Sequence, residues 1–89
     1  MNAYPCPCCG HPTLVEKPPG TFAICPVCFW EDDDAQYRDP TYTGGANRVS
    51  LDEARRNYST FGASAKEWQT KVRPPTPEER AHRAEGATR

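Results

Sequence analysis

The sequence predicts a small α+β domain in which a short β-hairpin carries two cysteine knuckles and one or two helices follow toward the C-terminus. Three observations lead there. Cys-Pro-x-Cys occurs twice, at Cys6-Pro7-Cys8-Cys9 and at Cys25-Pro26-Val27-Cys28. Short strand-like runs separated by Pro18-Pro19-Gly20 lie between the knuckles. A capped helical pattern begins at Ser50, where Ser-x-x-Glu precedes apolar residues at helical spacing.

A chain of 89 residues, 36% hydrophobic with ten prolines and six glycines, has material for one thin core, because small domains bury proportionally little surface. Such a core needs a covalent or metal staple. Five cysteines would suggest disulfides in a secreted protein. The N-terminal residues, however, have neither the basic nor the apolar region of a secretory signal, and no apolar run reaches transmembrane length. The expected compartment is the cytoplasm, where cysteines stay reduced and an odd count fits four metal ligands and one spare thiol.

Taken in order, the first knuckle and Gly10 are followed by His11-Pro12 and a strand at Thr13–Lys17. Pro18-Pro19-Gly20 turns the chain, and Thr21–Ile24 returns as a second strand that delivers the second knuckle. This is a zinc-ribbon layout. An acidic run, Glu31-Asp32-Asp33-Asp34, leads into Gln36–Asn47, which is rich in turn formers and reads mostly as loop. A helix follows over 51–61, capped by Ser50, with Leu51, Ala54, Tyr58 and Phe61 on its apolar face and Gly62 as its stop. Ser64-Ala65-Lys66-Glu67 repeats the capping pattern and predicts a shorter helix carrying Trp68, ended by Pro74-Pro75. Thr76-Pro77-Glu78-Glu79 is a third helix start, but residues 77–89 have no apolar face. The expected organisation is a zinc-ribbon domain over residues 1–73 and a flexible or partly helical tail over 74–89.

Fifteen residues separate Cys9 from Cys25, a spacing typical of structural zinc sites with four sulfur ligands. Cys6, Cys9, Cys25 and Cys28 are the predicted ligands of one structural Zn²⁺. Proline after the first cysteine of each pair preforms the turn, Gly10 permits a positive φ, and backbone amides can then face the sulfurs. Two alternatives use the same residues, a disulfide-bonded site and a redox Cys-x-x-Cys pair. Cys8 falls where a knuckle presents its side chain outward, and is read as a free thiol near the metal. His11 fits the ligand spacing less well than Cys9. Apo protein is expected to be largely unfolded, since structural zinc contributes on the order of 10 kcal/mol in small modules.

Charge is unevenly distributed. Residues 1–54 hold three basic and eight acidic side chains, about −5, whereas residues 55–89 hold eight basic and four acidic, about +4. Four thiolates around Zn²⁺ add two further negative charges to the acidic half. This disfavours nucleic acid at the knuckles, where affinity would require cations against phosphates. Trp30-Glu31-Asp32-Asp33-Asp34 is the candidate partner-binding run: an aromatic anchor with an acidic rim for a basic protein. A core tryptophan followed by a solvated turn is the plainer reading of the same residues. The run lacks the oxygen-ligand pattern of an EF-hand. Gly44-Gly45-Ala46-Asn47 reads as a tightly packed loop, with Asn47 bonding its backbone.

The residues Cys6-Pro7-Cys8-Cys9-Gly10, Ile24-Cys25-Pro26-Val27-Cys28-Phe29-Trp30-Glu31-Asp32-Asp33, Gly44-Gly45-Ala46-Asn47, Ser50-Leu51, Glu53-Ala54, Asn57 and Phe61-Gly62-Ala63 together resemble a family of small bacterial cysteine-rich proteins named for the Cys-Pro-Cys-Cys motif. The resemblance spans roughly residues 5–63 and implies a zinc-binding module. It carries no specific activity.

Three functions compete. The first is a protein-interaction module, one form of which is an immunity or antitoxin-like inhibitor of a basic nuclease. The second is a nucleic-acid-binding zinc ribbon using Arg48, Arg55, Arg56 and the basic tail. An enzyme is the third and least supported, because no nucleophile has a convincing base beside it, and no catalytic residue is assigned.

Overall fold

A computed structural model of the protein describes residues 3–83. Its element order is β1 (Tyr4–Pro5), β2 (Pro12–Leu14), α1 (Asp34–Arg38), α2 (Leu51–Phe61), a 3-10 turn (Lys66–Trp68) and α3 (Pro77–Ala81), a small α+β architecture. The short hairpin expected between the knuckles, Thr13–Lys17 against Thr21–Ile24, does not form. Instead each knuckle closes a short ribbon of its own. β1 pairs antiparallel with β2 across the first knuckle, with Tyr4 opposite Leu14 and Pro5 opposite Pro12, and Ile24 bridges Glu31 across the second.

The reason is local. Of residues 13–17, only Leu14 is buried, and Val15, Glu16 and Lys17 are exposed. Phe22 adopts a left-handed backbone (φ 60°), which breaks the pleat where the returning strand should run. Pairing across a knuckle accompanies the burial of its cysteines, whereas the expected hairpin gains little burial for its ordering.

Helix α2 spans the predicted residues. Ser50 accepts the Glu53 N–H at 3.1 Å, and Gly62 ends the helix in the left-handed conformation (φ 82°), its N–H bonded to the Tyr58 carbonyl. Leu51 and Ala54 are fully buried. They face a core whose larger part is the cysteines themselves with Leu14, Val27 and Trp30.

Two helical expectations change. Gln36 lies in α1 and not in a loop, because Asp33 caps that helix by accepting the Gln36 N–H at 3.0 Å. The helix expected to start at Ser64 shrinks to the 3-10 turn. Ser64 does not cap it: the residue is buried, its N–H donates to the Cys28 carbonyl at 2.7 Å, and its own carbonyl accepts from Asn57.

Thr76 and Glu79 cap α3 reciprocally. Residues 74–83 lie against the first knuckle through polar contacts rather than an apolar face, and the remainder of the expected tail lies outside the described residues. Among the described residues, no helix is long and apolar enough to cross a membrane.

The Gly44-Gly45 loop packs closely, as its composition suggests. A Cβ on Gly45 would stand 2.6 Å from Gln36 Cγ. Asn47 accepts the Glu31 N–H and donates to the Glu31 carbonyl and to Gln36 Oε1, tying the loop to the segment after the second knuckle.

A candidate metal centre

The two knuckles superpose in sequence with a shift of 19 residues, Cys6 onto Cys25, and the hydrogen bonds that form the two turns correspond. The Cys6 N–H donates to the His11 carbonyl as Cys25 donates to Trp30, and the Gly10 N–H returns to the Cys6 carbonyl as Phe29 returns to Cys25. The N–H of Cys8 points at Cys6 Sγ, and that of Val27 at Cys25 Sγ, both at 3.4 Å. The residue after each second cysteine has a positive φ, 78° at Gly10 and 69° at Phe29.

This arrangement brings Cys6, Cys9, Cys25 and Cys28 together, with all four sulfurs within 4.8 Å of one another and buried. The closest approaches, Cys6 to Cys28 at 3.6 Å and Cys9 to Cys25 at 3.8 Å, join the first cysteine of each knuckle to the second of the other. Four sulfurs each about 2.3 Å from a tetrahedral zinc would stand about 3.8 Å apart. The donor set therefore fits a tetrathiolate metal ion. All five cysteines are free thiols, so the disulfide alternative does not describe this structure.

The four crowded sulfurs perturb one another's ionisation. Hydrogen bonds from Cys28, then Cys6 and Cys9, drive the Cys25 thiol far down, and Thr13 adds to this with its hydroxyl at 3.0 Å. Burial first, then the charge-bearing Cys25, pushes Cys6 and Cys28 up, while Cys25 itself is the main cause of the rise at Cys9. Four thiolates side by side require a cation.

Cys8 is not presented outward. It is fully buried, as is Val27 at the corresponding place in the second knuckle, and its sulfur lies outside the four-sulfur cluster. His11 is also not among the clustered ligands. It is buried, with its Nδ1 3.0 Å from the Glu79 carbonyl.

Sequence reading missed the cover over the site. Arg55 Nε donates to the Pro7 carbonyl at 2.9 Å and Arg83 Nε to the Cys9 carbonyl at 2.7 Å. The corresponding carbonyls of the second knuckle, Pro26 and Cys28, accept the main-chain N–H groups of Arg73 and Ser64. Arg83 also lies over the Tyr58 ring, 5.4 Å from its centroid, and burial, then the Cys9 sulfur, pushes the Tyr58 hydroxyl up to about 12. The only sequence signal was charge: the basic half supplies cations for the acidic, sulfur-rich half.

In the run expected to bind a partner, most side chains are turned inward. Trp30 and Asp32 are each 1% exposed and Asp33 is 9% exposed. Asp32 Oδ2 accepts both the N–H and the hydroxyl of Thr21. Asp33 caps α1 and accepts the Ala46 N–H. Its burial would raise the carboxyl, but the Gln36, Ala46 and Ala35 amides outweigh this and hold it below the usual carboxylate range. Of the run, Glu31 and Asp34 reach the surface, both half-buried, and Asp34 pairs with Arg38 at 2.8 Å.

No curated protein matches the chain. A family profile described as "Cysteine-rich CPCC" matches residues 4–79, a span that contains both knuckles, α2 and most of the segment covering them. The chain belongs to the cysteine-rich CPCC family.

Proposed function

We propose that the protein is a structural-zinc module that acts by binding another protein, with one zinc ion held by Cys6, Cys9, Cys25 and Cys28. The observation that carries the metal assignment is the buried four-sulfur cluster with its two cross-knuckle contacts of 3.6 and 3.8 Å. Zinc there supplies a cross-link between chain segments, contributing on the order of 10 kcal/mol to folding. Four protein sulfurs complete a tetrahedral shell, which supports a structural rather than a catalytic ion. Thiolate ligation also requires unoxidised cysteines, which supports a reducing, cytoplasmic location.

The protein-binding part rests on charge. Residues 1–54 carry about −5 and offer an electrostatic match to a basic partner, of which a nuclease blocked by an immunity or antitoxin-like protein is one form. Nucleic acid binding has less support, since Arg55 and Arg83 are used on knuckle carbonyls and Arg48 pairs with Glu67 at 3.3 Å. Capture of partners on the zinc-loaded protein from cell extract, with and without nuclease, tests this reading. A stoichiometric protein that survives nuclease is the expected result, and retention lost on nuclease treatment overturns it.

A further inference from the structure

The two knuckle ribbons differ at one edge. In each, the residue before the first cysteine faces the residue three after the second: Pro5 opposite Pro12 in the first, Ile24 opposite Glu31 in the second. The flanking bonds, Cys25 N–H to the Trp30 carbonyl and Asp32 N–H to the Ala23 carbonyl, make Ile24 and Glu31 a non-hydrogen-bonded antiparallel pair. The N–H and C=O of both residues therefore point away from each other, toward the ribbon's two outer edges. Proline at both places of the first ribbon leaves no N–H to offer. In the second ribbon the Glu31 edge is closed by Asn47, whose side chain bonds both the Glu31 N–H and carbonyl. The Ile24 N–H and carbonyl have no partner among the described residues.

Apolar side chains stand beside this open edge. Ile24 is 49% exposed, and Phe22, two residues earlier, is 64% exposed on a left-handed backbone. The Phe22 conformation is fixed by its N–H to the Asp32 carbonyl and by the grip of Asp32 on Thr21. Packing within the chain does not account for an aromatic ring held in solvent on strained backbone. Directly paired residues share a face, so the Glu31 side chain leaves the ribbon on the same face as Ile24.

We propose that this edge binds an extended segment of a partner protein by strand addition at Ile24. An apolar side chain of the segment packs on Phe22 and Ile24, and a lysine or arginine meets Glu31. The proposal rests on the interaction-module reading and names its surface and partner chemistry. A second copy is disfavoured as occupant, because isologous pairing at Ile24 brings together two halves of about −5 each.

The test pans a displayed library of random segments, about nine residues long, on the zinc-loaded full-length protein. Enriched segments are expected to combine apolar residues with lysine or arginine and to slow hydrogen exchange at the Ile24 amide. Ile24→Pro, which copies the first ribbon, and Phe22→Gly, which suits the left-handed backbone, are each expected to weaken binding by about tenfold or more. Zinc content should stay unchanged in both. No enrichment, acidic consensus segments, or undiminished binding by the two zinc-loaded variants would overturn the proposal. So would a dimer of the parent protein lost in Ile24→Pro, which assigns the edge to a second copy. A cellular partner retained equally by parent and variants overturns the edge but leaves the interaction module standing, whereas the lack of any stoichiometric partner removes that reading itself.

Discussion

The two knuckles share a backbone and differ in what closes them. In the first, the residue that turns the chain after the second cysteine is glycine, and the outward carbonyls are met by the guanidinium groups of Arg55 and Arg83. In the second, that turn is made by Phe29 at φ 69°, and the carbonyls are met by main-chain N–H groups. Phe29 packs on Trp68 in a tilted ring contact with centroids 4.7 Å apart, and this contact offsets a backbone that costs a non-glycine residue roughly 1–2 kcal/mol. One turn geometry can thus be reached by a residue that permits it or by one whose side chain is held in place from outside. The first knuckle depends on named side chains and the second on the path of residues 63–73.

The largest effect that tests this comparison removes its common element. Cys6→Ser and Cys25→Ser, corresponding positions in the two knuckles, are each expected to abolish stoichiometric zinc binding and the cooperative thermal transition. The lost metal contribution, on the order of 10 kcal/mol, is comparable to the whole stability of an ordinary small domain. Excess chelator should reproduce this in the parent protein, read by circular dichroism and metal analysis. A chelated protein with an unchanged melt would break the account of both knuckles at once.

Exchanging the turn residues separates the knuckles. Gly10→Phe places a large side chain at a buried left-handed position and should destabilise by more than the backbone cost of roughly 1–2 kcal/mol. Phe29→Gly gains that backbone freedom and loses the Trp68 contact, so its net change should be smaller, about 1 kcal/mol. Denaturant titration of the zinc-loaded variants measures both, and a gain in stability in Phe29→Gly equal to the recovered backbone cost would show that the second turn needs no support from its ring contact.

Arginine replacements sharpen the difference in cover. Arg83→Ala loses the bond to the Cys9 carbonyl and the contact with Tyr58 and should cost about 1–2 kcal/mol, with faster zinc transfer to a chelating dye. Arg73→Ala leaves its N–H bond to Pro26 intact and should leave the transfer rate within about twofold. The smallest effect is expected of Cys8→Val, which writes the second knuckle's residue into the first. Zinc stoichiometry should be unchanged and stability altered by less than about 1.5 kcal/mol. A lost zinc ion in this variant would make Cys8 a ligand.

What could be read in the sequence was what depends on local chemistry. The spacing of Cys6, Cys9, Cys25 and Cys28 marks them as a group because a chelating turn requires two intervening residues, and Ser50 and Gly62 bound α2 because caps act on adjacent amides. Longer-range features were silent. Nothing near Ser64 says that its N–H meets the Cys28 carbonyl instead of starting a helix, and nothing in Arg83 marks a partner 74 residues away. By composition alone Asp32 and Asp33 read as solvated charge. Each is buried on N–H donors, with Thr21 and Ala46 contributed by other segments.

The most direct test of the four-sulfur assignment is X-ray absorption at the zinc edge on the purified, metal-loaded protein, paired with metal stoichiometry. The account predicts one zinc per chain with four sulfurs at about 2.3 Å and no nitrogen in the shell. A shell containing imidazole nitrogen, fewer than four sulfurs or no bound zinc would contradict it.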